Sequence, residues 1–201
     1  MTIRAIIWDL EGVLLHTPDG NVPTSIARRL NVPAEKVYES FNSEFMDRVD
    51  IGEFTQDEFW NRMLDVLGLP CEDKRHLLDF INQDFFIDTE LVSDILNYHK
   101  QYKTALLSNF SNALRPMLND RWRMDGTFDE IVISSEVHMI KPHPEIYRYT
   151  LQKLGCAADE TIFIDDRKIN IDGAQAIGMH AFQYTNRSDM NRKIQEIVSQ
   201  G

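Results

Sequence analysis

Hydrophobic residues along the chain cluster in five short runs that do not alternate with polar residues. The runs span 3–8, 104–107, 131–133, 161–164 and 181–184. Such runs are typical of strands buried on both faces, as in a parallel sheet covered by helices. Amphipathic, helix-length segments lie between the later runs, at 91–102, 144–154 and 169–177. This repeated strand–helix–strand order predicts an α/β fold with a doubly wound, Rossmann-like parallel sheet.

The segment 15–86 interrupts this alternation, because it contains no clear strand and is typical of successive helices. Pro23 and Pro33 suit first helical turns, and Thr55 and Glu58 have the spacing of a capping box. We therefore expect a small all-helical cap over 15–86, inserted after strand one, and an α/β core over 1–14 and 87–201. Such an insert lies near the carboxyl edge of the sheet, where open α/β folds bind ligands. A lid is the favoured role, and a helical subdomain that only packs is the alternative.

Charge and cysteine content narrow the partners that we expect. The 201 residues include 21 Lys and Arg against 32 Asp and Glu, a formal net charge of -11. We expect no nucleic-acid partner, because such proteins usually carry a basic stripe. No run approaches the roughly 20 apolar residues of a membrane span, and the two cysteines form no Cys-x-x-Cys pair. These features predict a cytoplasmic protein without a membrane partner, as a monomer or weak homodimer.

Polar residues recur where the predicted strands end. Because the carboxyl ends of parallel strands share one edge of the sheet, these side chains are expected to converge on one cleft. Several carboxylates in one cleft repel one another unless a cation joins them, and hard oxygen ligands suit Mg²⁺. A phosphate group could then enter the acidic pocket, which predicts phosphate chemistry. The residues are Asp9, Glu11, Ser108, Asn109, Lys141, Asp165 and Asp166.

Four stretches of the chain carry a family resemblance. They are 6–14, 105–109, 140–147 and 163–174, with sequences IIWDLEGVL, ALLSN, IKPHPEIY and FIDDRKINIDGA. Together they resemble the haloacid dehalogenase-like (HAD) superfamily of phosphohydrolases over nearly the whole chain. The sequence is most similar to the branch with a small helical cap after the first strand, which includes sugar-phosphate phosphatases and the phosphatase domain of soluble epoxide hydrolases.

The resemblance implies a role for each residue of the predicted cleft. Asp9 would be the nucleophile that forms an aspartyl-phosphate, and the substrate would be a small phosphorylated metabolite. Lys141 would neutralise the negative charge of the nucleophile and of the phosphate. Lys141, Ser108 and Asn109 would all bind the substrate. Mg²⁺ would be held by Asp9, by Asp166, by Asp165 directly or through water, and by the backbone carbonyl of Glu11.

Glu11 departs from the family pattern, since related phosphatases usually carry Asp at this position as the acid and base. Glu keeps the carboxylate but adds about 1.3 Å of reach, and misplacing a catalytic group by about 1 Å can cost on the order of 100-fold in rate. We expect Glu11 to remain the acid and base, with slow turnover.

Other functions on a similar set of residues stay open. A 2-haloacid dehalogenase uses the same nucleophile, but such enzymes need no Mg²⁺ and typically lack the acidic pair found here as Asp165 and Asp166. A phosphomutase, and a weakly active or non-catalytic binding protein, are further alternatives. A phospho-receiver is disfavoured, because receivers are shorter and place their acidic pair on the first strand.

Overall fold

The computed structural model describes residues 2–200 and contains a five-stranded parallel sheet of order β5-β4-β1-β6-β7, together with a separate two-stranded ribbon. In chain order the strands are β1 (Ala5–Trp8), β2 (Leu15–His16), β3 (Phe86–Ile87), β4 (Lys103–Ser108), β5 (Glu130–Ile133), β6 (Thr161–Asp165) and β7 (His180–Gln183). The five runs of the sequence correspond to the five strands of the parallel sheet. The predicted α/β fold is therefore confirmed.

Helices cover both faces of the sheet and form the insert. They are α1 (Val22–Leu30), α2 (Ala34–Phe41), α3 (Glu44–Asp50), α4 (Gln56–Leu67), α5 (Asp73–Asp84), α6 (Thr89–Tyr98), α7 (Leu114–Pro116), α8 (Ser134–Val137), α9 (Pro144–Leu154), α10 (Lys168–Ala176) and α11 (Arg187–Ser199). We call α1–α5, which lie between β2 and β3, the insert. Within residues 2–200, no helix combines the length and the apolar character needed to cross a lipid bilayer.

Strand β1 shows why the short apolar runs form the centre of the sheet. All four of its residues are fully buried. Ile6 and Trp8 belong to one hydrophobic cluster, whereas Ala5 and Ile7 belong to the cluster on the opposite face. A strand with helices on both sides has no face for polar residues, which is why the run does not alternate.

The strand register brings the polar ends together. Trp8 pairs with Leu106 of β4 and with Ile164 of β6. The next residue, Asp9, donates its backbone N–H to the carbonyl of Ile164 at 2.9 Å. Asp9 therefore leaves the sheet beside Asp165, the last residue of β6.

Local capping fixes the helices of the insert. Thr55 accepts from the backbone N–H of Glu58 at 3.2 Å, and the Glu58 carboxylate accepts from the backbone N–H of Thr55 at 2.7 Å. This is the capping box that the sequence predicts at the start of α4. Pro23 lies in the first turn of α1 as expected, whereas Pro33 is the N-cap residue of α2 and precedes its first turn.

The insert joins the core through a ribbon that the sequence pattern did not reveal. Strands β2 and β3 pair antiparallel, with Leu15 opposite Ile87 and His16 opposite Phe86. Each strand has only two residues, too few for a recognisable hydrophobic pattern. Elsewhere along the boundary, the His138 ring nitrogen Nδ1 lies 2.7 Å from the carbonyl oxygen of Ile51.

Candidate active site

Three carboxylates converge at the carboxyl edge of the sheet. Asp9, Asp165 and Asp166 each offer an oxygen atom within 4.8 Å of the others. The Nζ atom of Lys141 lies 2.6 Å from Asp9 Oδ1 and 2.7 Å from Asp165 Oδ2. It also donates to the carbonyl of Leu107 at 3.0 Å. Segments far apart in sequence thus share one compact charged cluster.

Burial makes the charges of this cluster strongly interdependent. The Lys141 side chain is 1% exposed and that of Asp9 is 7% exposed. Burial acts to lower the pKa of Lys141, but the attraction of Asp9 and Asp165 raises it above its ordinary range, so the ammonium stays charged. Burial and repulsion from Asp165 raise the pKa of Asp9, while Lys141 opposes that shift. One ammonium does not offset three carboxylates, which favours an additional cation.

Asp165 is already committed to protein partners. Besides Lys141, its oxygens accept from the Asn170 side-chain amide at 3.0 Å and from the backbone N–H of Arg167 at 2.8 Å. Asp165 is completely buried. Its geometry suits a residue that orients Lys141 and the loop before α10, with any metal contact made through water.

Asp166, in contrast, presents a free acceptor. Its Oδ1 atom is buried and has no hydrogen-bond partner, and the residue lines the cavity described below. Gly12 lies directly against this side chain, with a φ of +79°. A Cβ atom at Gly12 would lie 2.4 Å from Asp166 Oδ2. Only glycine fits this position without displacing the Asp166 carboxylate.

A cavity of about 430 Å³ opens above the cluster, between the core and the insert. Asp9, Glu11 and Asp166 line its core side. Glu11 is exposed at the cavity, yet the surrounding protein removes much of its hydration. This desolvation, together with repulsion from Asp166, raises the pKa of Glu11 to about 7, against the opposing charges of Arg167 and Lys141. A carboxyl group with this pKa can donate or accept a proton near neutrality.

Ser108 is the last residue of β4, and Asn109 follows it. Ser108 is 1% exposed. The side-chain amide of Asn109 forms two hydrogen bonds with the backbone of Lys141. It donates to the Lys141 carbonyl at 2.9 Å and accepts from the Lys141 N–H at 2.8 Å. Asn109 also lines the cavity, and so does Ser111. The structure thus gives Asn109 a clear part in positioning Lys141, while substrate binding by Ser108 and Asn109 stays a prediction.

Sequence reasoning missed several polar residues that line the cavity, among them Asp50, Arg167 and Asn170. Arg167 and Asn170 follow the acidic pair within five residues, so the loop itself was the available signal. Asp50 ends α3 of the insert, and nothing in the local sequence marks it. Burial, with repulsion from Glu11 and Asp47, raises the pKa of Asp50 to about 7.

The donor set fits a hard divalent cation. The carboxylate groups here offer oxygen ligands, as Mg²⁺ prefers, and the buried Asp166 Oδ1 has no hydrogen-bond partner, so it is available as a metal ligand. Asp9 and Asp166 are the side chains that would hold the ion. The backbone carbonyl of Glu11 is the expected third protein ligand.

A parallel sheet with a carboxylate and lysine cluster at its carboxyl edge, beneath a helical insert, defines an α/β enzyme of Rossmann-like topology. The chain belongs to the haloacid dehalogenase-like hydrolase family, whose pattern matches residues 3–178. The resemblance recognised in the sequence is therefore confirmed.

Individual relatives are distant but match over most of this chain. The D-ribitol-5-phosphate phosphatase of Bacteroides thetaiotaomicron is 25% identical over 207 residues, covering 98% of this chain and 99% of the relative. The drimenol cyclase of Aspergillus calidoustus is 24% identical across 97% of this chain, which spans only 36% of that protein. The crystal structure of a HAD family enzyme from B. thetaiotaomicron, in complex with magnesium and inorganic phosphate, has a TM-score of 0.76 and 24% identity, covering 94% of this chain and 98% of the other.

Proposed function

We propose that this protein is a Mg²⁺-dependent phosphatase that removes phosphate from a small phosphorylated metabolite by way of an aspartyl-phosphate on Asp9. The observation that carries the proposal is the buried cluster of Asp9, Asp165, Asp166 and Lys141 at the floor of the cavity. The similarity to a full-length phosphatase and to a fold that binds magnesium and phosphate supports it.

Each residue has a defined part in the proposed reaction. An oxygen of Asp9 forms a bond to phosphorus as the bond between phosphorus and the ester oxygen breaks. Glu11 gives a proton to the departing alcohol oxygen, and then takes one from the water that attacks the aspartyl-phosphate and releases inorganic phosphate. Lys141 compensates the growing negative charge. When bound, Mg²⁺ supplies further positive charge to the phosphate oxygens.

The insert has the part of a cap in this proposal. Apolar and polar side chains of α1–α5 line the cavity opposite Asp9 and Asp166, so a bound ester is enclosed between insert and core. Enclosure excludes bulk water and strengthens the interactions of Lys141 with the phosphate. The division of the chain into core and cap domains belongs to the proposal, as do the cytoplasmic location and the monomer or weak homodimer.

Hydrolysis of p-nitrophenyl phosphate tests the activity. We expect turnover with Mg²⁺ that disappears with a chelator and in Asp9→Asn. Equal background rates from both proteins, with and without Mg²⁺, would favour a non-catalytic binding protein. Release of halide from a 2-haloacid without Mg²⁺ would favour the dehalogenase alternative, and phosphate delivered to a sugar hydroxyl instead of water would favour a mutase.

The Glu11→Gln variant tests the aspartyl-phosphate step. p-Nitrophenol is a good leaving group that needs little help from an acid, whereas attack by water on the aspartyl-phosphate needs a base. We therefore expect a burst of about one equivalent of p-nitrophenol, followed by turnover slowed on the order of 100-fold or more. Glu145→Gln, at an exposed position outside the cavity, is the matched control. Unchanged steady turnover in Glu11→Gln would contradict this role.

A further inference from the structure

The cavity has two chemically different halves. Its core half carries the charged residues of the cluster, whereas every helix of the insert contributes at least one apolar side chain to the other half. These are Val22 of α1, Phe41 of α2, Met46 of α3, Phe59 of α4 and Ile81 of α5. With the Mg²⁺ of the proposed function in place, a ligand that fills both halves would be anionic at one end and apolar over much of its remaining surface.

The cavity is several times larger in volume than a phosphate group. A phosphate group has roughly the bulk of three water molecules, on the order of 90 Å³ at about 30 Å³ each. The cavity measures about 430 Å³, within the range of pockets that bind drug-sized ligands. Most of the space therefore belongs to the organic part of the ester.

Polar side chains are a minority in the insert half of the cavity, and two of them are engaged with each other. Asn21 and Tyr38 line the cavity but bind each other, with the Tyr38 hydroxyl 2.9 Å from Asn21 Oδ1. Asn21 Oδ1 also accepts from the backbone N–H of Thr24 at 2.9 Å, as the cap of α1. Asp50 Oδ1 and Trp60 Nε1 are buried without a partner. Asn42 and Gln56 also line the cavity, so hydrogen-bonding groups are present in the insert half among a larger number of apolar side chains.

A polyol phosphate in this cavity would place part of its hydroxyl groups against apolar side chains of the insert. Each hydroxyl group that enters an apolar half without a partner costs about 1–3 kcal/mol, whereas each methylene buried there contributes favourably. We propose that the substrate is the phosphate monoester of a largely apolar alcohol, whose hydrocarbon body lies among the insert side chains Phe41, Met46, Phe59 and Ile81. This inference rests on the proposed phosphatase function for the reaction, and on the cavity alone for the chemistry of the ligand.

A series of straight-chain alkylphosphonates tests the inference without requiring turnover. Their dissociation constants for the wild-type protein are measured by calorimetry in excess Mg²⁺. We expect affinity to rise about fourfold with each methylene, the equivalent of about 0.8 kcal/mol, until the cavity is full. Binding is expected to show a negative heat-capacity change. A polyhydroxylated alkylphosphonate of equal chain length is expected to bind no better than methylphosphonate.

A pair of variants locates the binding of the alkyl chain. Met46→Gln keeps the length of a side chain that lines the cavity and makes it polar, so octylphosphonate binding is expected to weaken at least threefold, with methylphosphonate unchanged. Val66→Gln, on α4 at a position 63% exposed and outside the cavity, is the matched control and should leave the whole series unchanged.

The outcomes separate this inference from the proposed function. Mg²⁺-dependent hydrolysis of p-nitrophenyl phosphate with a flat alkyl series, or with tighter binding of the polyhydroxylated compound, overturns the inference and leaves the phosphatase standing. A rising alkyl series without any hydrolysis supports the apolar ligand and rejects the phosphatase. A rise that Val66→Gln abolishes and Met46→Gln does not would place the alkyl chain elsewhere and overturn the inference.

Discussion

Replacing Lys141 by Met removes the cation that pairs with two buried carboxylates. The ammonium contacts Asp9 at 2.6 Å and Asp165 at 2.7 Å, and all three side chains are at most 7% exposed. Asp165 keeps its bonds from Asn170 and the backbone, but Asp9 loses its ion pair and still repels Asp165. Breaking one partner out of a buried pair costs about 3–5 kcal/mol. We expect a loss of about 4 kcal/mol in the free energy of unfolding at pH 8.

The loss should depend on pH in a defined direction. Without Lys141, the pKa of Asp9 rises further, because an attraction that lowered it is gone. A carboxyl group whose pKa is higher in the folded than in the unfolded protein destabilises the fold as pH rises through that folded value. The difference between Lys141→Met and wild type is therefore expected to be smaller at pH 5 than at pH 8.

Urea denaturation at both pH values measures the effect, with Mg²⁺ chelated. Lys168→Met is the matched control, because Lys168 also contacts a carboxylate at 2.7 Å, that of Asp172, but is 76% exposed. Exposed pairs of this kind contribute less than about 0.5 kcal/mol. If Lys141→Met cost under 1 kcal/mol at pH 8, or no more than Lys168→Met, the reasoning about the buried cluster would be refuted.

Three further changes test other parts of the structure. Gly12→Ala forces a Cβ to within 2.4 Å of Asp166 Oδ2 at a positive φ, so we expect a loss of about 1–3 kcal/mol and no thermal stabilisation by Mg²⁺; a normal magnesium shift in the melting curve would contradict this. Thr55→Ala removes the capping box of α4 and should cost about 1 kcal/mol in urea denaturation, and a cost near zero would mean that the cap contributes nothing. Asp50→Asn removes a carboxyl whose pKa is raised to about 7, so the variant should be more stable than wild type at pH 8, by about 2 kcal/mol after allowance for contact with water. At pH 5 the gain should be about one third of that, because the carboxyl is then ionised in the unfolded protein and neutral in the folded one. Equal stability at both values would show that Asp50 is well solvated.

The fold could be predicted because the central strands consist mostly of apolar residues, which indicates that both of their faces are buried. The run 161–164 is a threonine followed by three apolar residues, and together with the helix-length segments between the runs it is typical of strands covered on both faces. The two-residue strands β2 and β3 were not predictable, since pairing of that length is decided by tertiary context and not by pattern. The predicted position of Pro33 in a first helical turn was wrong by one residue. A proline suits both the N-cap and the first turn of a helix, so the sequence does not distinguish the two.

The residues of the candidate site could be predicted from the sequence only where they follow strands. Asp9 and Asp165 lie at positions that the parallel register brings together, so their order along the chain was informative. Asp50 comes from a helix end in the insert, and its approach to the cavity depends on how that helix packs. The two hydrogen bonds between the Asn109 side chain and the Lys141 backbone could not be predicted either. An amide that positions another residue looks the same in the sequence as an amide that binds a ligand.

The ribbon of β2 and β3 brings both ends of the insert to one place on the core. The polypeptide leaves the core and comes back to it at adjacent positions, with Leu15 opposite Ile87, so the two junctions form one narrow neck. A different helical segment grafted at this neck would leave the hydrogen bonding of the five-stranded sheet intact. We therefore expect that replacement of the insert can change which substrates bind, while the charged cluster at the edge of the sheet is retained.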